Sequence, residues 1–144
     1  MTHEIETLLD EVRLLYHRMV QVAEDIHRDE PVTLGMCSVL EFLLKNGSTT
    51  VPDIARGRFV TRQHIQTLVN TLLKGEFVTL EDNPSHKRSS MIGLTSNGAR
   101  LIRRMRRREE QIYEAIDIGL SQDWLVSARE VLKDVRGSLG QHSN

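Results

Sequence analysis

The sequence predicts a mostly α-helical protein with one small β-hairpin, a winged helix-turn-helix flanked by N- and C-terminal dimerisation helices. Three observations predict it. From Thr50 to Gly98 the pattern reads helix, tight turn, helix, hairpin with a basic tip, helix. Long apolar seams with helical spacing run along both ends of the chain. Positive charge is concentrated in the middle: residues 51–108 hold 12 Lys/Arg against 4 Asp/Glu, whereas the whole chain carries a net charge of −1.

The first helix is expected from about His3 to His27. Leu8, Val12, Leu15, Met19, Val22 and Ile26 recur every three or four residues, a seam suited to packing against long partner helices. Asp29, Glu30 and Pro31 break it. Thr33 caps a second helix running to about Leu44, with Met36, Val39, Leu40, Leu43 and Leu44 facing inward. Asn46, Gly47 and Ser48 end that helix, and Gly47 takes the left-handed position. Thr50 with Asp53 has the spacing of a capping box and opens a short helix from Val51 to about Gly57. Arg58, Phe59 and Val60 then form the turn.

Thr61 caps the next helix, which divides into two faces. Ile65, Leu68, Val69 and Leu72 make the apolar one. Gln63, Gln66, Thr67, Asn70 and Lys74 make the other, which lacks carboxylates. An amide-rich face of that kind suits the edges of DNA bases better than simple solvation, which ordinarily mixes Glu with Lys. Gly75 ends the helix. Phe77–Leu80 and Met91–Leu94 alternate as strands around the turn-forming and basic loop Asp82–Arg88. Thr95 caps a helix running past Tyr113, with Leu101, Met105, Ile112 and Ile116 inward. After a break at Gly119 and Ser121, a last helix from about Trp124 to Leu139 presents Leu125, Ala128, Leu132, Val135 and Leu139. The organisation is a winged unit over residues 33–100 and a helical dimerisation unit formed by 1–30 and 101–140, intimately packed in one chain.

Composition limits the function classes. The chain has 144 residues, ordinary apolar content, 4% aromatics and three prolines. No run of 18 apolar residues is present, so no membrane span is expected. The acidic, amphipathic N-terminus is unlike a signal peptide, and a cytoplasmic protein is expected. A single cysteine, Cys37, excludes an internal disulfide; with apolar neighbours and no Lys or Arg within a helical turn, it reads as a buried structural thiol. The six histidines show no metal-ligand spacing, and neither a phosphate-binding glycine loop nor a nucleophile elbow occurs, so no cofactor, metal or catalytic activity is expected.

Arg62, Gln63, His64, Gln66, Thr67 and Asn70 are the candidates for base edges and nearby phosphates, with Thr61 and Lys74 at the ends of the same helix. Lys87 and Arg88, flanked by His86 and Ser89, form the wing tip that reaches the adjacent minor groove or its phosphates. The arginines 103, 104, 106, 107 and 108 admit two readings, a solvated helix face or part of a phosphate-attracting field.

Four segments, in order, resemble the MarR family of bacterial and archaeal transcription regulators. They are Thr61-Arg62-Gln63, Gly75-Glu76-Phe77-Val78, the wing Asn83-Pro84-Ser85-His86-Lys87-Arg88-Ser89, and Leu94-Thr95-Ser96-Asn97-Gly98. The resemblance covers nearly the whole chain. It implies a homodimer that binds a pseudo-palindromic operator in double-stranded DNA, usually as a repressor, and that is released in many members by small phenolic or other aromatic effectors. Arg13, Tyr16, His17, Met36 and Leu40 are the effector-cleft residues suggested by resemblance and helix phase. The wing departs from the family pattern: His86 stands where an aspartate is usual, and Lys87 replaces the first of two arginines. Phe59 occupies a turn position where glycine is common. The rival function class is a winged-helix dimer that binds another protein instead of DNA.

Overall fold

The computed structural model describes residues 1–116 and 119–143. They form α1 (Thr2–Ile26), α2 (Leu34–Asn46), α3 (Val51–Arg58), α4 (Arg62–Lys74), β1 (Val78–Glu81), β2 (Met91–Leu94), α5 (Ser96–Ala115) and α6 (Gln122–Gly140). The chain packs as two units, Met1–Glu110 and Gln111–Asn144.

The core of the first unit gathers one apolar stripe from each of four helices and one face of the hairpin. Val39, Leu40 and Leu43 come from α2, Ile54 and Ala55 from α3, and Ile65, Val69 and Leu72 from α4. Val78 and Ile92 come from the hairpin, and Leu101, Ile102 and Met105 from α5. Burying α4 on one side leaves its polar side in water, which is the condition for reading a ligand with it. On α5 the inward set differs from expectation. Ile102 is fully buried beside Leu101, whereas Ile112 is half-buried and Ile116 lies beyond the helix, exposed.

Short polar interactions fix the element boundaries. Thr33 accepts from the Met36 N–H at 3.3 Å, and Thr61 accepts from the His64 N–H at 3.1 Å. The box at Thr50 is half formed: Thr50 accepts from the Asp53 N–H, but the Asp53 carboxylate accepts from the Thr49 hydroxyl at 3.0 Å and pairs with Arg56. Asp is too short to reach back as Glu would. Gly47 does take a positive φ of 79°. Gly75 remains right-handed, and the left-handed residue at that exit is Glu76, with φ 60°.

The hairpin is antiparallel, with Val78 opposite Leu94 and Leu80 opposite Ile92. β1 starts one residue later than expected, because the Phe77 N–H closes onto Leu72 O at 3.0 Å as the chain leaves α4. Ile92 also exchanges backbone bonds with Thr49, at 3.1 and 2.7 Å, tying the wing to the α2–α3 connection. Thr95 holds the far end: its hydroxyl donates to Glu76 O at 2.7 Å and accepts from the Gly98 N–H at 3.0 Å. A Cβ on Gly98 would stand 2.0 Å from Phe77 O, so the Leu-Thr-x-x-Gly element is a backbone-to-backbone packing site.

In the second unit Ser121 caps α6 by accepting from the Trp124 N–H at 3.2 Å. No residue of α6 is buried; Trp124, Leu125, Val126, Val131, Leu132 and Leu139 are exposed. Apolar side chains of α1 are likewise open, among them Leu14, Leu15, Tyr16 and Met19. None of the described helices is long and apolar enough to cross a membrane.

Candidate nucleic-acid interface

Helix α4 presents Arg62, Gln63, His64, Gln66, Thr67, Asn70 and Lys74 to solvent, with its cap Thr61 also exposed. Their availability differs. The Thr61 hydroxyl is occupied as a cap, and Thr67 donates to Gln63 O at 3.0 Å. Gln66 Nε2 donates to Asn70 Oδ1 at 2.9 Å, so these two amides form a preset pair one helical turn apart.

The wing loop brings Arg88 toward the start of α4. A cleft of about 500 Å³ is lined by Arg62, Gln63 and Gln66 on one side and by Arg88, Ser89 and Ser90 on the other. Val51, Pro52, Leu80 and Ile92 form the rest of its lining. The structure thus joins the N-terminal half of α4 to the wing, and leaves His64, Thr67, Asn70, Lys74, His86 and Lys87 outside the cleft. Leu80 and Ser90 escape the sequence pattern. Leu80 belongs to a strand whose alternation suggested packing, yet only Val78 of β1 is buried and Leu80 is 55% exposed.

The arginines of α5 divide by role. Glu30, whose side chain is largely buried, accepts from Arg104 and Arg108, each at 2.7 Å, and the hydrogen bond from Arg104 holds its carboxyl below the ordinary range. Those two guanidiniums pin the segment after α1 to α5, so the positive field of residues 51–108 is weaker than a count suggests. Close by, His27 Nε2 and Glu109 Oε1 lie 2.8 Å apart, with His27 buried and its Nδ1 without a partner. Glu41 is pushed up by burial and by the Glu109 carboxylate. Cys37 is buried against Met105, with Sγ 3.6 Å from its sulfur; desolvation and then Glu41 and Glu109 push the thiol up to about 12. A thiol so far from ionisation is a poor nucleophile. Among the described residues no cluster of His, Cys, Asp and Glu could hold a metal ion.

Of the expected effector-cleft residues, Arg13, Tyr16 and His17 are exposed on α1, and the Tyr16 and His17 rings meet edge to face at 5.6 Å. Met36 and Leu40 are instead buried in the core of the first unit. Their positions on α2 satisfy the same apolar stripe as Val39 and Leu43, which helix phase alone does not separate from a cleft wall.

A family model described as the MarR family matches residues 32–89, from the start of α2 to the wing. The MarR family transcription regulator SP03579 is 25% identical, with 99% of this chain and 97% of that one covered and a TM-score of 0.81. From α2 to the wing the chain is similar to the MarR family, and its fold follows a MarR family regulator along nearly its whole length. The likeness is to DNA-binding transcription regulators and not to enzymes. An uncharacterized protein of Mycobacterium tuberculosis is 28% identical over 136 residues, covering 92% of this chain and 94% of its own length. Staphylococcus aureus MepR, solved as a complex with DNA, is 21% identical with a TM-score of 0.77, covering 89% of this chain and 94% of that one, a likeness of fold.

Proposed function

We propose that this protein is a member of the MarR family and a homodimeric repressor that reads an inverted-repeat operator. Helix α4 enters the major groove and Arg88 of the wing reaches the neighbouring minor groove or its phosphates. The observation that carries this reading is the cleft in which Arg62, Gln63 and Gln66 face Arg88 and Ser89. It places two guanidiniums around a concave surface beside the amides. One DNA strand passing between helix and wing would meet phosphate-binding groups and base-reading groups together. The exposed apolar faces of α1 and α6 supply the dimer contacts. Release by a small aromatic effector completes the reading, with the exposed Arg13, Tyr16 and His17 as the side chains open to it.

A titration of mixed-sequence duplex DNA at several salt concentrations tests the DNA contact. Binding should weaken steeply with salt, and Arg88→Ala should weaken it on all sequences alike while reducing the salt slope by about one for each phosphate that Arg88 neutralises. Unchanged affinity and unchanged slope in Arg88→Ala would take the wing off DNA. Absence of any salt-dependent binding by the wild type would favour the protein-interaction class instead.

A further inference from the structure

Phe59 lies between α3 and the Thr61 cap of α4, with φ 57° and ψ 38°. That is the left-handed region, disfavoured for a residue with a bulky side chain. Phe59 is 79% exposed, and Val60 beside it is 41% exposed. The fold therefore carries two costs at one position. Glycine would remove both, because it occupies this region freely and exposes no ring. Strain combined with an unburied aromatic, held at the entrance of the reading helix, is the pattern expected where a side chain is kept for a partner.

The partner is set by continuity with the α4 interface, and the inference rests on the DNA-binding reading above. Three peptide units separate Phe59 from Arg62, so their Cα atoms lie within about 11 Å. A major groove is ~12 Å wide, and recognition helices enter it by their N-terminal residues. Arg62 supplies the cation that draws the strand in, while Arg58 is directed elsewhere, 3.9 Å from Glu41 and over the Phe42 ring. We infer that Phe59 contacts DNA, laying its ring against a thymine methyl group at the edge of the groove that α4 enters. Such a contact discriminates thymine from cytosine without any hydrogen bond.

The probe is the duplex recovered from random-sequence DNA by selection on the wild-type protein. Wild type, Phe59→Gly and Phe59→Leu are titrated on that duplex and on copies in which each thymine in turn is replaced by deoxyuridine. Uracil at one position of each half-site should weaken the wild type about four-fold, the worth of one buried methyl. Phe59→Gly should bind the parent duplex about ten-fold or more weakly and be indifferent to uracil at that position, with Phe59→Leu between the two. Thermal unfolding of Phe59→Gly should occur no lower than in the wild type, which separates removal of a DNA-facing ring from damage to the fold. Equal binding of the parent duplex by Phe59→Gly and wild type would overturn the assignment, as would equal responses of the two proteins to uracil at every position. Failure to recover any duplex would overturn the DNA reading and this inference with it, whereas the other two outcomes remove Phe59 alone.

Discussion

Gln63 sits in the first turn of α4 with an exposed amide, whereas the Gln66 and Asn70 amides, also exposed, are bonded to each other at 2.9 Å. The distinction sets different expectations for single substitutions. Gln63→Ala removes an independent group able to bridge adenine, and should cost ~1–3 kcal/mol on a preferred operator and much less on random DNA. Paired titrations on both DNAs at one salt concentration measure this; equal losses would make Gln63 a backbone contact. Gln66→Ala and Asn70→Ala should instead be non-additive, because either one dissolves the same pair. Cys37, buried and with its thiol raised to about 12, belongs to the core rather than to sensing.

At the scale of elements, the segment after α1 is fastened to α5 through Glu30, and the wing is fastened to α4 and α5 through Thr95 and Phe77. The carboxylates in this region have opposite signs of linkage to pH. Glu30 lies below its ordinary value in the fold, so its contribution is complete above the ordinary carboxylate range and is lost as pH falls through the folded value. Glu30→Gln should lower unfolding stability by ~1 kcal/mol at neutral pH, a modest figure because both arginines are partly exposed to solvent, and the deficit should shrink in acid. Glu41 lies above its ordinary value because burial disfavours its charge and Glu109 repels it. Its contribution is present below the ordinary carboxylate value and is lost as pH rises through the raised folded value. Glu41→Gln should therefore stabilise the protein at neutral pH and be indistinguishable from wild type in acid. Urea unfolding of both variants at the two pH values checks the pair of signs.

For the whole molecule, α1 and α6 each carry more apolar surface than the described chain covers. A homodimer that uses them should bury well over ~1,000 Å². Leu132→Asp with Val135→Asp should then give monomers or insoluble protein, and sedimentation of the wild type as a stable monomer at micromolar concentration would contradict the assembly. Two α4 helices in such a dimer should meet major grooves roughly 34 Å apart, so that half-site centres lie about 10 base pairs apart or a multiple of that. Selected binding sites without inverted symmetry would separate DNA binding from dimeric reading.

The sequence by itself determined the order of elements, the caps Thr33, Thr61 and Thr95, and the two faces of α4. Each depends on interactions within a few residues, and helical periodicity records which side must be buried. The resemblance to the MarR family rests on the same local chemistry, since every one of the four matching segments is a cap, a turn or a reading face. Tertiary structure decided the rest. It brought Arg88 and Leu80 to Arg62 across a cleft, spent Arg104 and Arg108 on Glu30, and buried Met36 and Leu40 where a ligand wall was expected. It also set Phe59 in a left-handed turn with its ring in solvent. These outcomes depend on which residues meet across tens of positions in the chain. A charge or an apolar side chain looks the same in sequence whether it faces a partner, a carboxylate or the core, and only packing assigns it one of these neighbours.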